Sequence, residues 1–247
     1  MPIADNETYF LFGYFQYNAL GNTVNENKKT DCRHNRQGRN KLRIGKGTIG
    51  VKMNKLQGFY ALAKSNLPAV PWKKYDRETR FDPDILWTIR SAVTEGEDLN
   101  LPRKIGVNAA EANSFARELA GNLKTEDMII YYPYFIAIKS GVIDISMHRT
   151  AIEAVKEDLW NLVTYNQKDV TIIFEEEDVR ICGDEYFLTQ DEIIELVDYC
   201  TLIRRQFQNE ITGGKNILLE WSYACKSDIN KQPSGDISLI FYEIRTV

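Results

Sequence analysis

The sequence predicts an α+β protein, a mainly antiparallel sheet built from strand–strand–helix units with helices packed on one face. Three observations carry this expectation. Residues 128–207 hold two stretches in series, each reading as a strand pair followed by an amphipathic helix. Two T-x-x-E capping boxes, Thr150/Glu153 and Thr189/Glu192, stand where those helices would begin. The chain then closes on two alternating apolar runs about a polar loop, the pattern of a hairpin.

Composition supports a packed protein. Of 247 residues, 43% are hydrophobic and 27% charged, which is ordinary for a globular chain with a sizeable core. No stretch approaches the roughly 18–20 apolar residues that cross a bilayer. Asp5 and Glu7 stand where a signal peptide would carry positive charge. A cytoplasmic protein without membrane contact is therefore expected. The 4 cysteines, Cys32, Cys182, Cys200 and Cys225, show no C-x-x-C spacing, and the 2 histidines, His34 and His148, add no ligand pair. Reduced, mostly buried thiols and no metal or other cofactor are expected.

Taken in order, residues 8–18 form an aromatic-rich strand, apolar on nearly both faces. Residues 24–55 differ in kind. Lys28, Lys29, Arg33, Arg36, Arg39, Lys41, Arg43, Lys46, Lys52 and Lys55 face only Glu26 and Asp31, a local charge of +8 in a chain whose net charge is −4. The first half of this segment has almost nothing apolar and reads as a loop. Clustered Lys and Arg attract phosphates through Coulomb forces and counterion release. Lys28, Lys29, Arg33, Arg36, Arg39, Lys41, Arg43 and Lys46 are the candidate phosphate contacts, on DNA or RNA, and Tyr14, Tyr17 and Tyr60 are aromatics that could stack on exposed bases.

Gly45-x-Gly47-x-x-Gly50 followed by Tyr60-Ala-Leu-Ala-Lys64 resembles the glycine-rich loop and nucleotide-binding lysine of protein kinases. The resemblance is confined to that stretch. Met147-His-Arg-Thr150 has threonine where a kinase carries its catalytic aspartate, and no D-F-G occurs. A hairpin whose turns need glycine is the preferred reading.

Pro68, Pro71 and Pro83 mark residues 65–83 as a linker between an N-terminal β-rich region, 1–64, and an α+β core domain, 84–247. Asp82-Pro83 predicts a helix start, with Leu86, Ile89 and Val93 as its stripe. A second helix begins at Asn108, with Glu111 three residues on, and turns Ala112, Phe115, Leu119 and Leu123 inward. In the first unit, Met128–Ile138 is one strand, Ser140-Gly141 a turn and Val142–Ser146 a second strand. A helix from Thr150 follows, with Ile152, Val155, Leu159, Leu162 and Val163 as its stripe. Pro133 argues for an edge position, since it cannot donate to a ladder. In the second unit, Val170–Phe174 and Val179–Cys182 pair about Glu175–Asp178. The helix from Thr189 buries Ile193, Leu196, Val197, Cys200, Ile203 and Phe207, and Gly213-Gly214 lie beyond it. Ile217, Leu219, Trp221 and Tyr223 then face one way, as do Ile237, Leu239 and Phe241, across the loop 226–235.

The acids at Glu175–Asp178, with Asp144, Asp184 and Glu185, are the cluster that could serve a metal-dependent reaction. Consecutive acids at a hairpin tip point in alternating directions and more readily solvate the turn. No G-x-S-x-G elbow is present. The expected function is therefore a non-catalytic nucleic-acid-contacting module, a subunit or accessory of a larger complex. The alternatives are a structural adaptor working by protein–protein assembly or self-association, and a nucleotide- or metal-dependent enzyme.

Overall fold

The computed structural model describes residues 53–93, 101–124, 126–165, 167–176 and 178–247. Within them the protein is α+β, with two antiparallel sheets and helices packed against them. The elements run α1 (Lys55–Lys64), β1 (Lys73–Lys74), β2 (Trp87–Ala92), β3 (Arg103–Val107), α2 (Ala109–Asn122), β4 (Met128–Pro133), β5 (Phe135–Ile145) and β6 (Arg149–Lys156). They continue through α3 (Trp160–Tyr165), β7 (Val170–Glu175), β8 (Asp178–Gly183), α4 (Gln190–Gln206), α5 (Gln208–Thr212), β9 (Ile217–Ser227) and β10 (Pro233–Thr246). The smaller sheet has the order β1-β4-β2-β3, and the larger has β10-β9-β5-β6-β7-β8. The strand expected over 8–18, the basic loop and the glycine hairpin lie outside the described residues.

Burial explains how the layers stack. One face of the larger sheet presents Ile143, Ile145, Ile152, Ile172, Leu219 and Trp221 to α4, which fits Ile193, Leu196, Val197, Cys200 and Ile203 against them. Thr189 caps α4 as its spacing predicts: its hydroxyl accepts from the Glu192 N–H while the Glu192 carboxylate accepts from the Thr189 N–H. The opposite face of β9–β10 offers Ala224 and Ile240 to Ala92, Met128, Ile130 and Tyr132 of the smaller sheet, with Leu56 and Phe59 of α1 sealing the contact. The far side of the smaller sheet carries Trp87, Ile89 and Ile129 under Ala112, Phe115, Ala116 and Leu119 of α2. Asn108 caps α2 by accepting from the Glu111 N–H, again as its sequence predicts. The order of layers is thus α2, smaller sheet, larger sheet, α4.

Several local expectations are overturned. The stretch from Thr150 is strand β6 and not a capped helix. Thr150, Ile152 and Val155 are β-branched, and Ile152 pairs with Ile143 on one side and Ile172 on the other, burying it completely. Thr150 spends its hydroxyl on Arg204 of α4, whose Nη2 donates at 2.7 Å. The helix of the first unit is reduced to the six residues of α3. Ser140-Gly141 is no turn, because β5 runs straight through it to Ile145.

The single strand expected over Met128–Ile138 is two. β4 ends at Pro133 in the smaller sheet, and β5 starts at Phe135 in the larger one. The Tyr134 N–H donates to the Leu86 carbonyl between them. Pro133 sits past the two residues of β4 that β1 reaches, so its missing N–H costs no ladder bond on that side.

The helix expected after Asp82-Pro83 is instead a turn followed by β2. The Asp82 carboxylate accepts from the Asp84 N–H, and the indole N–H of Trp87 donates to the Asp82 carbonyl. Leu86 and Ile89 are buried as foreseen, but Ile89 lies in the central strand β2 and Leu86 directly before it. Residues 68–70 run beside β10, where the Phe241 N–H donates to the Pro68 carbonyl and the Val70 N–H to the Phe241 carbonyl. That contact covers part of the outer edge of the larger sheet.

The closing hairpin forms, with longer strands than foreseen and a tight turn at Asp228–Gln232, where the Asp228 carboxylate accepts from two backbone N–H groups. Leu239 and Phe241 are buried but Ile237 is exposed. A bulge between Phe241 and Glu243 puts one extra residue, Tyr242, on β10. Phe241 and Ile244 thereby both reach the face that α4 covers, and Glu243 turns to the other. Asn216 and Val247 exchange backbone hydrogen bonds, which ties down the last residue.

One test of this packing concerns α2. Gly121 lies in its last turn, and a Cβ there would meet nothing within 4 Å. Gly121→Ala should stabilise the protein by about 0.5–1 kcal/mol through helix propensity alone. Chemical denaturation would show this as a midpoint shift at constant slope. An unchanged midpoint would mean that this turn of α2 is already frayed.

Candidate functional site

Among the described residues, two places gather chemically active side chains. The first is a charged cluster sealed between the sheets. Glu220 of β9 and Glu243 of β10 are directly paired across the ladder. Like charges so placed repel, and three cations answer them. Arg90 Nη2 lies 3.5 Å from Glu243 Oε2, Lys55 Nζ 3.8 Å from the same oxygen, and Arg245 Nη1 3.7 Å from Oε1. The Glu243 side chain is 3% exposed.

Burial drives the Glu220 carboxyl above the usual glutamate range, and Glu243 pushes it the same way, against the pull of Arg90, Arg245 and Lys55. Burial works against the Arg90 charge, but Tyr132, Glu243 and Glu220 outweigh it and raise the pKa. Burial, and after it Tyr132, raises the Tyr242 phenol far above its ordinary value, so it stays protonated. Beside it, the hydroxyls of Ser140 and Ser222 meet at 2.8 Å, linking β5 to β9. Phe59 lies under the Arg90 guanidinium at 5.3 Å.

Three cations thus face two acids in a mostly buried place. Glu243 Oε1 and Arg245 Nε are buried without a hydrogen bond among the described residues. The cluster orients the smaller sheet and α1 on β9–β10, and it offers no nucleophile beside a base.

The second place is on the surface. Trp160, at the start of α3, is 44% exposed, and the Arg103 guanidinium of β3 stacks on its indole at 5.0 Å. Lys104 beside it is exposed and lies 5.3 Å from the Phe115 ring. The Asp158 carboxylate accepts from the Trp160 N–H, which fixes the turn that presents the indole. Tyr134 lies against the backbone of Gly106, where φ is +63° and an added Cβ would sit 3.3 Å from the ring. Burial and then Asp158 raise the Tyr134 phenol, so the two share this neighbourhood.

The phosphate contacts expected from sequence, Lys28, Lys29, Arg33, Arg36, Arg39, Lys41, Arg43 and Lys46, lie outside the described residues, as do Tyr14, Tyr17 and Gly45–Gly50. Lys55, at the end of that segment, turns inward to Glu243. Lys64 is on helix α1, not on a strand as the kinase-like stretch implied. Tyr60 is exposed, but its ring meets Trp72 edge-on and its hydroxyl reaches Met128 Sδ.

At the acidic hairpin tip, Glu175 and Asp178 both pair with Arg180, and among the described residues no three His, Cys, Asp or Glu side chains are grouped to hold a metal. Asp144 bonds Asn216, and Asp184 caps the Tyr186 N–H. Cys200 is buried and Cys225 is a buried free thiol, whereas Cys182 is in a disulfide, against the expectation of reduced cysteines.

Sequence reading missed both places. A signal for the first was present: Glu220 and Glu243 stand inside otherwise apolar strands, as does Arg90, and a charge in a buried strand calls for a partner. The stacking of Arg103 on Trp160 joins residues far apart in the chain and had no local signature.

Among the described residues no helix is long and apolar enough to cross a membrane. No protein-family model and no curated protein matches the chain.

Proposed function

We propose that the protein is a non-catalytic nucleic-acid-contacting module, acting in the cytoplasm as a subunit or accessory of a larger complex. The observation that carries this reading is the charge of residues 24–55, ten cations against two acids in a chain that is acidic as a whole. Such a segment follows a phosphate backbone with little regard to sequence. The exposed pair Arg103 and Lys104 supports it from the described surface. Self-association or docking on an acidic protein is the second reading. It is favoured by β8, which ends the larger sheet with Val179 and Ile181 half-buried on an outer strand.

A salt titration separates the two. Wild type should bind a short single strand or a short duplex at about 50 mM salt and release it steeply as salt rises. Reversing Arg36, Arg39, Lys41 and Arg43 to Glu should abolish that binding and leave thermal unfolding unchanged. If wild type binds neither probe, or the variant binds as well, the segment serves assembly and sizing by light scattering should find an oligomer.

A further inference from the structure

We propose that Trp160, backed by Arg103, is a stacking platform for an unpaired base of a single-stranded nucleic acid. This rests on the preceding reading and narrows it, from a phosphate-following segment to a site that also takes a base.

Of the chain's 4 tryptophans, Trp87 and Trp221 are buried, Trp72 is half-buried, and Trp160 is exposed. An indole in water costs free energy unless something covers it, and here a guanidinium covers it in part. The arrangement is built rather than incidental. Arg103 opens an edge strand of the smaller sheet, whereas Trp160 follows β6 of the larger one, so the contact spans the two sheets. The Asp158 cap fixes the backbone under the indole at 2.8 Å. Tyr134, at the crossing from one sheet to the other, lays its ring against Gly106, three residues beyond Arg103 on β3.

The cation at the indole is Arg103; Lys104, next on β3, is exposed on the opposite face and lies over Phe115. Of the acids close by in sequence, Glu157 lies 3.7 Å from Lys156, and Asp158 is engaged with the Trp160 backbone. A base laid on the indole would bring its own phosphate within the range of Arg103, which can serve ring and phosphate together. Any base has a π-face, so little sequence preference is expected. A duplex hides those faces, so the ligand is a single strand.

The test uses the full chain, a short oligothymidylate and an abasic strand of equal length. The oligothymidylate should quench tryptophan fluorescence, and Trp160→Phe should remove most of the quenching while keeping most of the affinity, because a phenyl ring still stacks. Trp160→Ala should weaken oligothymidylate binding about tenfold, the size of one lost base–aromatic stack, and leave the abasic strand unaffected. Arg103→Ala should weaken both strands. The platform is overturned if wild type binds the abasic strand as tightly as oligothymidylate, or if Trp160→Ala binds both strands like wild type. In either case the basic-segment reading still stands. If wild type binds no strand at all, both readings fall together.

Discussion

Replacing Glu243 by glutamine should destabilise the protein by about 3 kcal/mol, whereas the same change at its cross-strand neighbour Glu220 should be neutral or stabilising at neutral pH. The two carboxylates are paired across β9 and β10, yet their surroundings differ. Glu243 is the acid that Lys55, Arg90 and Arg245 all approach. Removing its charge leaves three cations in a mostly buried place with one acid to share, and an uncompensated buried charge is what makes broken pairs costly. The separations, 3.5 to 3.8 Å, are loose for ion pairs, which places the expected cost at the lower end of the range for buried pairs.

Glu220 holds its proton more tightly in the folded state, because burial and Glu243 both oppose its ionisation. The folded protein therefore binds more protons than the unfolded chain between the ordinary glutamate range and the raised value. Stability from this group is present at low pH and lost as pH climbs through that interval. Glu220→Gln should flatten the decline. Denaturant titrations of both variants across mildly acid and neutral pH would decide it. A Glu220→Gln protein as impaired as Glu243→Gln would mean that both acids are needed as anions.

Gly141→Ala should be among the most damaging single-methyl changes at the described glycines, costing about 3 kcal/mol. A Cβ at this position would lie 2.1 Å from the Glu153 carbonyl oxygen and 2.4 Å from the Trp221 ring. Neither neighbour can retreat. The carbonyl belongs to β6, the strand paired with β5, and Trp221 is fully buried under α4. Expression and thermal unfolding compared with Gly121→Ala provide the measurement, since both add one methyl. A Gly141→Ala protein that unfolds at the wild-type temperature would show that β5 and β6 can separate at this point.

Gly141 also shows how sequence can mislead about a residue whose importance it marks. Ser140-Gly141 reads as a turn, because glycine after a polar residue commonly breaks a strand. In the fold the glycine is there because an indole from β9 lies against the strand, and the identity of that neighbour is not written nearby. Thr150/Glu153 teaches the same lesson. Its spacing matches Thr189/Glu192 in every local respect, and only the second becomes a cap. The capping hydrogen bonds are worth about 1 kcal/mol, and two flanking strands that bury Ile152 and Ala154 outweigh them.

What the sequence by itself determined is the α+β class, helices α2 and α4 with their caps, the β7–β8 pair and the closing hairpin. In each of these, several local signals agree: a cap, a long period of buried positions, and a stop or turn. What only the tertiary structure decided is the fate of short apolar runs whose spacing fits two periods. Leu86, Ile89 and Val93 suit a helical stripe, yet β2 lies between β4 and β3 and is buried by α2 from one side and the larger sheet from the other. The division of residues 128–145 between two sheets at Pro133, the burial of Arg90 against Glu243, and the stacking of Arg103 on Trp160 were likewise settled by partners distant in the chain. Local hydrogen bonds and propensities differ by about 1 kcal/mol or less between such alternatives. Burying a full side chain on both faces of a strand contributes about 1.5–3 kcal/mol each time, so the assembled layers choose the conformation.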